Sequence, residues 1–288
     1  MPTSPMATVR AEPTASGTRL DERSLALRRT IVRIMAASKR GHLGSALSLV
    51  EMLRVLYDDI LRYDPARPAW PLRDRCILSK GHGCLALYAI LAEKGFFPEA
   101  ELWKFCQDEG ILGGHPEYGK VPGVEASTGS LGHGLAIGIG LALHARMARA
   151  SHRVFVVMSD GESNEGSVWE AALCAGKHGL SHLTVLVDYN KQQSYGSTFE
   201  VLDLEPFAEK WRAFGFAVEE ADGHSPQALR AALSRVPFDP RRPSLILCHT
   251  VKGKGIPFAE GNLEWHHKNK VTDEEVRAML AALEPRDA

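Results

Sequence analysis

The sequence predicts an α/β fold in which helices flank a doubly wound, mostly parallel sheet. Apolar runs at Val154–Met158 and Leu183–Val187 have the length of buried strands, and a helical pattern separates them. Further strands are predicted at Phe216–Glu219 and Leu245–Cys248, with helical patterns around them. Strands that alternate with helices form a parallel sheet, because each helix returns the chain to the same end of the sheet.

The amino-terminal part of the chain predicts three helices and a short strand. Apolar residues recur at helical spacing over Leu25–Met35, after Asp21, a residue type that suits a helix N-cap. A second helix is predicted over Ser48–Tyr57. The run Cys76–Leu78 predicts a buried strand, and Gly81–Ala92 predicts a loop followed by a helix.

A long loop and three helices complete the prediction. Gly and Pro are frequent over Gly110–Thr128 and periodicity is weak, which is typical of a functional loop. Helices are predicted over Leu135–Met147, Pro206–Phe214 and Pro226–Val236. No linker divides the chain, so we expect one domain over residues 21–288. Residues 1–20 lack periodicity and an apolar signal core, and are expected to form a disordered tail.

Composition excludes several classes of function. The formal net charge is −1, with 34 basic and 35 acidic residues, so we expect neither a nucleic-acid nor a membrane partner. No run of 18 apolar residues occurs, which argues against a membrane-spanning helix. The five cysteines are scattered, as is typical of reduced thiols in a cytoplasmic protein.

Oxygen-bearing side chains follow the two neighbouring strands. Asp160 comes directly after the first run, and Asn190 follows the second, 30 positions later. The carboxyl ends of parallel strands are where open sheets bind ligands. Oxygens of Asp160, Asn190 and the Gln192 carbonyl could hold Mg²⁺ or Ca²⁺ at about 2.0–2.6 Å. The alternative is that Asp160 only caps the following helix.

Together, Ser159–Glu162 and Asp188–Gln192 resemble the thiamine diphosphate signature of the transketolase family. The family's other motifs occur in its order, between about Leu25 and His267, as Gly41–Gly44, Leu78–Gly83, Gly114–Glu117 and Thr128–Gly134. The resemblance implies thiamine diphosphate as the cofactor, with Mg²⁺ or Ca²⁺ on its diphosphate. It also implies transfer of a two-carbon ketol unit from a ketose to an aldose.

The resemblance assigns roles to individual residues. The matching active-site histidines are His42, His82, His115 and His266, although His267 allows a one-residue shift. Imidazoles suit such a site because they hold hydroxyl groups and move protons near neutral pH. Each has the alternative of being an ordinary surface loop histidine. The implied cofactor contacts are His82, Gly129, Leu131, Asp160, Gly161, Glu165, Asn190 and His266, and the implied metal ligands are Asp160, Asn190 and Gln192.

Some positions depart from the family or have a second interpretation. Arg40 stands where many family members have a small residue, and Ser159 stands where the family usually has glycine. Arg40 could select an anionic acceptor or simply end a helix in solvent. Glu165 and Glu170 match carboxylates at a subunit interface, or one of them is only solvated. The loop around Gly129 could cap the next helix.

The chain resembles only the diphosphate-binding half of a transketolase, as found in split, two-chain enzymes. Expected partners are a carboxyl-terminal subunit carrying the activating Glu, a second copy of this chain across a two-fold axis, and sugar or sugar-phosphate substrates. A heterotetramer follows, with the Gly110–Thr128 loop, the Leu135–Met147 helix and the helix of Glu165 and Glu170 as interface. The alternatives are the α-type subunit of a 2-oxo acid dehydrogenase, or a non-catalytic subunit that only binds the cofactor.

Overall fold

The computed structural model describes residues 17–284 and forms an α/β fold with a parallel sheet, as predicted. The sheet contains strands β1 (Arg75–Leu78), β2 (Val154–Ser159), β3 (Leu183–Tyr189), β4 (Ala217–Asp222) and β5 (Ser244–His249). Their spatial order is β1-β2-β3-β5-β4, and every neighbouring pair is parallel. All five predicted strands are therefore present, with ends shifted by a few residues.

Helices cover both faces of the sheet. In chain order they are α1 (Glu22–Ser38), α2 (Leu43–Leu47), α3 (Val50–Val55), α4 (Cys84–Glu93), α5 (Gly134–Met147), α6 (Gly166–His178), α7 (Thr198–Leu202), α8 (Phe207–Ala213), α9 (Pro226–Leu233) and α10 (Asp273–Ala282). A π-helical turn at Leu56–Ile60 extends α3. Short 3₁₀ segments occur at Gly81–Gly83, Glu99–Lys104, Gly161–Asn164 and Leu263–Trp265.

Two apolar cores lie on opposite faces of the sheet. Val157 of β2 belongs to the core that α1–α4, α9 and α10 cover, whereas its neighbour Val156 belongs to the core under α5, α6 and α8. This separation follows from the pleat, which points successive side chains to opposite faces. Because both faces are covered, β2 and β3 are buried along their whole length.

Several element ends differ from the prediction for local reasons. The helix predicted over Ser48–Tyr57 is α3 with its π-helical turn and begins at Val50. The separate α2 (Leu43–Leu47), whose residues are all buried, precedes it and was not predicted. Asp21 is the N-cap of α1, as predicted, and accepts from the N–H of Ser24. The short α7 and the α10 helix were not predicted. The Gly110–Thr128 loop contains neither helix nor strand, as predicted.

The ends of the chain are only partly described. Residues 1–16 of the predicted tail, and residues 285–288, lie outside the described residues. Within 17–20, the hydroxyl of Thr18 donates to Asp222 at the end of β4. Over residues 17–284, no helix has both the length and the apolar character needed to span a membrane.

Candidate cofactor and active site

A cavity of about 240 Å³ opens at the carboxyl edge of the sheet. Loops that follow β1, β2, β3 and β5 all reach it, because parallel strands end at the same edge. Most of the predicted site residues line it: His42, His82, His115, Gly129, Leu131, Gly161, Asn190, Gln192 and His266. Asp160 is fully buried immediately beside it.

The histidines come together although they are far apart in the sequence. The ring centroid of His42 lies 5.4 Å from that of His82, 6.2 Å from that of His115 and 5.6 Å from that of His266. His266 lines the cavity, whereas His267 packs against His42 with a centroid distance of 4.3 Å. His42 lies between α1 and α2, His82 and His115 lie between β1 and β2, and His266 follows β5, so no single element builds this cluster.

Burial keeps these imidazoles neutral. Burial, with the positive potential of His267, lowers the pKa of His42 to about 3. Burial, with the charge of Lys252, lowers the pKa of His266 to about 3 as well. The pKa of His82 is also lowered well below its usual value, chiefly by burial. A neutral imidazole can donate from one nitrogen and accept at the other. The Nδ1 of His266 is buried without a hydrogen-bond partner in the described chain, so it is available to a ligand.

Asp160 is held rigidly at the end of β2. Its carboxylate accepts from the N–H groups of Gly161 at 2.7 Å and Lys191 at 2.5 Å. Burial and the neighbouring charge of Asp188 raise the pKa of Asp160 to about 7. No ion pair to Asp160 occurs within residues 17–284. The site therefore contains a buried carboxylate that a cation would stabilise.

The donor set for a metal is small and made of oxygens. The carboxylate of Asp160 accepts from the N–H of Lys191, which lies between Asn190 and Gln192 in the sequence. This hydrogen bond brings the three predicted ligands close together. The Asn190 amide oxygen accepts from the N–H of Gln192 at 3.0 Å. Among the described residues, no group of three or more His, Cys, Asp or Glu side chains could hold a metal. One carboxylate with neutral oxygens fits Mg²⁺ that also binds phosphate and water.

Two lysines that we did not predict bring positive charge to the cavity. Lys80 is buried and pairs with Asp188, which also accepts from the hydroxyls of Ser48 and Thr250. The Nζ of Lys252 lies 3.3 Å from the carbonyl of Gln192 and donates to it. Burial and the charge of Lys80 lower the pKa of Lys252 to about 8. Lys252 lies in the loop after β5. Because ligands bind at the carboxyl ends of parallel strands, the argument that identified Asp160 could also have identified Lys252.

The glycines of the site are required by close packing. Gly129 has φ of +145°, and a Cβ there would lie 2.8 Å from the ring of His115. A Cβ on Gly161 would lie 2.8 Å from the side chain of Gln193. Buried Glu162, also not predicted, accepts from the Gly132 N–H at 2.9 Å and so ties the loop around Leu131 to β2.

Of the other positions that the sequence singled out, Ser159 lines the cavity, whereas Glu165, Glu170 and Arg40 do not. Glu165 precedes α6 and is exposed, as is Glu170. Arg40 is exposed beside the histidine cluster. The hydroxyl of Ser159 accepts from the N–H of Glu162 at 3.2 Å, so this departure from glycine caps the turn below the cavity. A second cavity of about 480 Å³, lined by His115, Glu117 and Ser130 among others, adjoins it through His115.

Comparison with known proteins identifies relatives along nearly the whole chain. Residues 22–285 match the family described as "Transketolase, thiamine diphosphate binding domain". The chain is 43% identical over 248 residues to a 6-deoxy-6-sulfo-D-fructose transketolase subunit of a Clostridium species, covering 86% of this chain and 90% of the relative. It is 40% identical to one of the subunits of the apulose-4-phosphate transketolase of Phocaeicola vulgatus, covering 83% of this chain and 85% of the relative.

Solved structures agree with these relatives. The transketolase of Leishmania mexicana superposes with a TM-score of 0.85 at 32% identity, covering 90% of this chain. The transketolase of Campylobacter jejuni superposes with a TM-score of 0.84 at 28% identity. The chain spans 40% and 42% of the length of those two proteins.

Proposed function

This chain belongs to the transketolase family, in its thiamine diphosphate-binding domain, and we propose that it is the amino-terminal subunit of a two-chain transketolase. The enzyme moves a two-carbon ketol unit from a ketose or ketose phosphate to an aldose. The observation that carries this proposal is the convergence of four loop histidines beside Asp160. A 2-oxo acid dehydrogenase subunit or a non-catalytic subunit would leave those histidines unexplained, and the named relatives favour transketolase.

The cavity suits thiamine diphosphate together with Mg²⁺ or Ca²⁺. The buried carboxylate of Asp160 supplies the negative charge for the metal, and Asn190 and the Gln192 carbonyl supply neutral oxygens. Gly129, Leu131 and Gly161 line the space beside them, whereas Glu165, the other predicted contact, does not line the cavity. When bound, thiamine diphosphate supplies the carbon nucleophile that carries the ketol unit.

The two lysines give the site an anion-binding character. Lys80 is neutralised by Asp188, whereas Lys252 forms no ion pair in the described chain and contacts only backbone carbonyls. At neutral pH Lys252 is mostly protonated, because the pKa of about 8 lies above 7. Its ammonium group therefore attracts the diphosphate into the cavity.

The histidines bind the hydroxyl groups of the sugar. His42, His82, His115 and His266 present neutral rings, which donate to hydroxyl oxygens or accept from hydroxyl protons. Since their pKa values are lowered, they do not repel the metal or Lys252. His115 lies where the two cavities join, so it contacts both the cofactor space and the sugar entrance.

A carboxyl-terminal subunit completes the site. The chain contains the diphosphate-binding half, and the activating Glu comes from this partner. Ile137, Met147 and Leu173 expose 38%, 83% and 61% of their apolar side chains on the surfaces of α5 and α6. We place a second copy of this chain there, with Glu165 and Glu170 at the two-fold axis, which gives a cytoplasmic heterotetramer.

Co-expression tests the proposed function. The two-chain complex, supplied with thiamine diphosphate and Mg²⁺, is screened with ketose donors and aldehyde acceptors, and mass detection follows transfer of the two-carbon unit. We expect transfer that depends on both chains and on the cofactor. Decarboxylation of a 2-oxo acid without any ketol transfer would contradict the proposal.

A further inference from the structure

Three hydrogen bonds to backbone groups anchor the loop that carries Lys252, one before this residue and two after it. The Nε2 of His224 accepts from the N–H of Val251 at 2.8 Å, the carbonyl of Gly44 accepts from the N–H of Gly253 at 3.0 Å, and the Nε of Arg28 donates to the carbonyl of Lys254 at 2.8 Å. Lys252 lies between these anchors, and its side chain lines the cavity.

Two of these anchors converge on one buried carboxylate, that of Glu51. Arg28 donates to both of its oxygens, at 2.6 and 3.0 Å. The Nδ1 of His224 lies 3.0 Å from the same carboxylate. All three side chains are fully buried. Burial acts to raise the pKa of Glu51, but the charge of Arg28 together with the hydrogen bonds from His224 and Arg28 lowers it to about 2.

The contacts of His224 determine which nitrogen carries its proton. A carboxylate only accepts, so Nδ1 carries the proton and donates it to Glu51. Nε2 is then unprotonated and can accept from Val251. Glu51 thus orients the ring that holds the loop, as a carboxylate behind a histidine commonly does.

Close packing leaves this loop little freedom. Gly253 has φ of +83°, and a Cβ there would lie 2.3 Å from the carbonyl oxygen of Ala259. Gly255 has φ of +99°, and a Cβ there would lie 3.0 Å from the Cδ of Arg28. The Cα of Gly44 supports the stem of Lys252, since a Cβ on Gly44 would lie 3.2 Å from its Cγ.

From these contacts we infer that Arg28, Glu51 and His224 are positioning residues for Lys252, and through it for the diphosphate of the cofactor. This inference rests on the proposed function, in which the ammonium of Lys252 binds the diphosphate. None of the three lines the cavity, so they act on the cofactor through the elements that they hold. His224 holds the loop alone, whereas Arg28 also donates to the carbonyl of Leu47 in α2. A buried ion pair adds little to stability by itself, whereas it fixes geometry well.

A double-mutant cycle in the two-chain complex tests the inference. Binding of thiamine diphosphate with Mg²⁺ is titrated calorimetrically for wild type, His224→Leu, Lys252→Met and the double variant. We expect His224→Leu to weaken binding about tenfold or more, because it removes the anchor at Val251. In the Lys252→Met background the same change should have almost no further effect. His224→Gln keeps an acceptor and should recover part of the affinity.

Hydrogen exchange of the segment 250–255 gives a readout that does not depend on the cofactor. His224→Leu and Glu51→Gln should both speed exchange there, and Glu51→Gln provides a second variant if the first does not fold. The control is Asp74→Asn, which breaks a buried carboxylate network with Arg153 at the opposite edge of the sheet. It should lower stability without changing affinity.

The possible outcomes separate the two hypotheses. Wild-type complex that does not bind thiamine diphosphate would overturn the proposed function. The positioning role alone would be overturned if the wild type binds the cofactor but His224→Leu loses as much affinity in the Lys252→Met background as in the wild type. Unchanged hydrogen exchange of residues 250–255 in His224→Leu would also overturn it.

Discussion

Asp160 concentrates much of the site's chemistry in one side chain. Two backbone N–H groups fix its carboxylate, and burial with the charge of Asp188 raises its pKa to about 7. The charge of nearby Lys80, which pairs with Asp188, offsets this rise only in part. A divalent cation on Asp160 would favour the ionised carboxylate, so we expect metal, cofactor and this residue to bind as a unit.

Replacing Asp160 with Ala should abolish Mg²⁺-dependent binding of thiamine diphosphate, because the metal loses its charged ligand. Calorimetric titration of the two-chain complex measures this. Asp108→Ala, at an exposed position, is the matched control and should bind normally. Tight cofactor binding by the Asp160 variant would contradict the assignment of the site.

The histidines predict a pH dependence of stability. The pKa values of His42 and His266 are lowered from 6.5 to about 3 in the folded chain, so the unfolded chain binds more protons between those values. Their contribution to the free energy of unfolding is therefore complete above pH 6.5 and is lost as the pH falls toward 3. Urea unfolding at pH 7, 6 and 5 should show this decline.

The variant His42→Gln should make that decline shallower, because glutamine does not titrate. A decline equal to that of the wild type would contradict the buried, neutral state of His42.

At the scale of elements, the loops after the strands form the cavity, and exposed helix faces form the proposed interface. Parallel strands end at one edge, so the loops after β1, β2, β3 and β5 meet whatever their separation in the sequence. In contrast, α5 and α6 expose Ile137, Met147 and Leu173 away from the sheet. Exposed apolar groups of this kind are typical of protein interfaces.

Introducing a charge on that surface should prevent association of the two copies. We expect Leu173→Asp to reduce the mass of the complex by light scattering, while the circular dichroism of the chain stays unchanged. Leu72→Asp, at a residue 49% exposed elsewhere on the surface, should leave the mass unchanged. An unaltered mass for the Leu173 variant would argue that the two-fold interface lies elsewhere.

The capping box of α10 makes a second prediction at this scale. Thr272 accepts from the N–H of Glu275, whose side chain in turn accepts from the N–H of Thr272. Thr272→Ala should lower the free energy of unfolding by about 1 kcal/mol, measured by urea titration. The control Thr30→Ala removes a hydroxyl within α1 and should cost less. Equal losses for the two variants would contradict the capping role.

At the scale of the whole molecule, the proposed function divides the active site between two chains. In that proposal this chain contributes the metal ligands, the histidines and Lys252, which the fold brings to an open cavity. Full-length transketolases of the same fold are more than twice as long, since the chain spans 40% of the Leishmania protein. Relatives that this chain covers to 90% and 85% of their length are named as transketolase subunits, so activity is expected to depend on assembly.

The isolated chain should show no ketol transfer, and activity should rise on titration with the partner subunit to a plateau at a one-to-one ratio. Light scattering of the saturated mixture should give the mass of two copies of each chain. Transfer by the isolated chain at a rate comparable to that of the complex would overturn this view.

Local patterns in the sequence determined the elements and the chemistry at the strand ends. Continuous apolar runs revealed β2 and β3, because a strand covered on both faces carries no polar alternation. Asp160 and Asn190 followed from position alone, since any residue after a parallel strand lies at the binding edge. The histidines needed the resemblance to transketolases, because spacing in the sequence does not show which loops meet.

Tertiary structure decided what depends on long-range contact. Lys80 became a buried partner of Asp188, 108 residues away, and Arg28, Glu51 and His224 became one network behind Lys252. No local pattern shows that these residues are buried or which partners they have. Burial and ion pairing depend on how the whole chain packs. The charges of the side chains around the cavity, and the contacts that hold the loop of Lys252, are therefore set only once the helices cover the sheet.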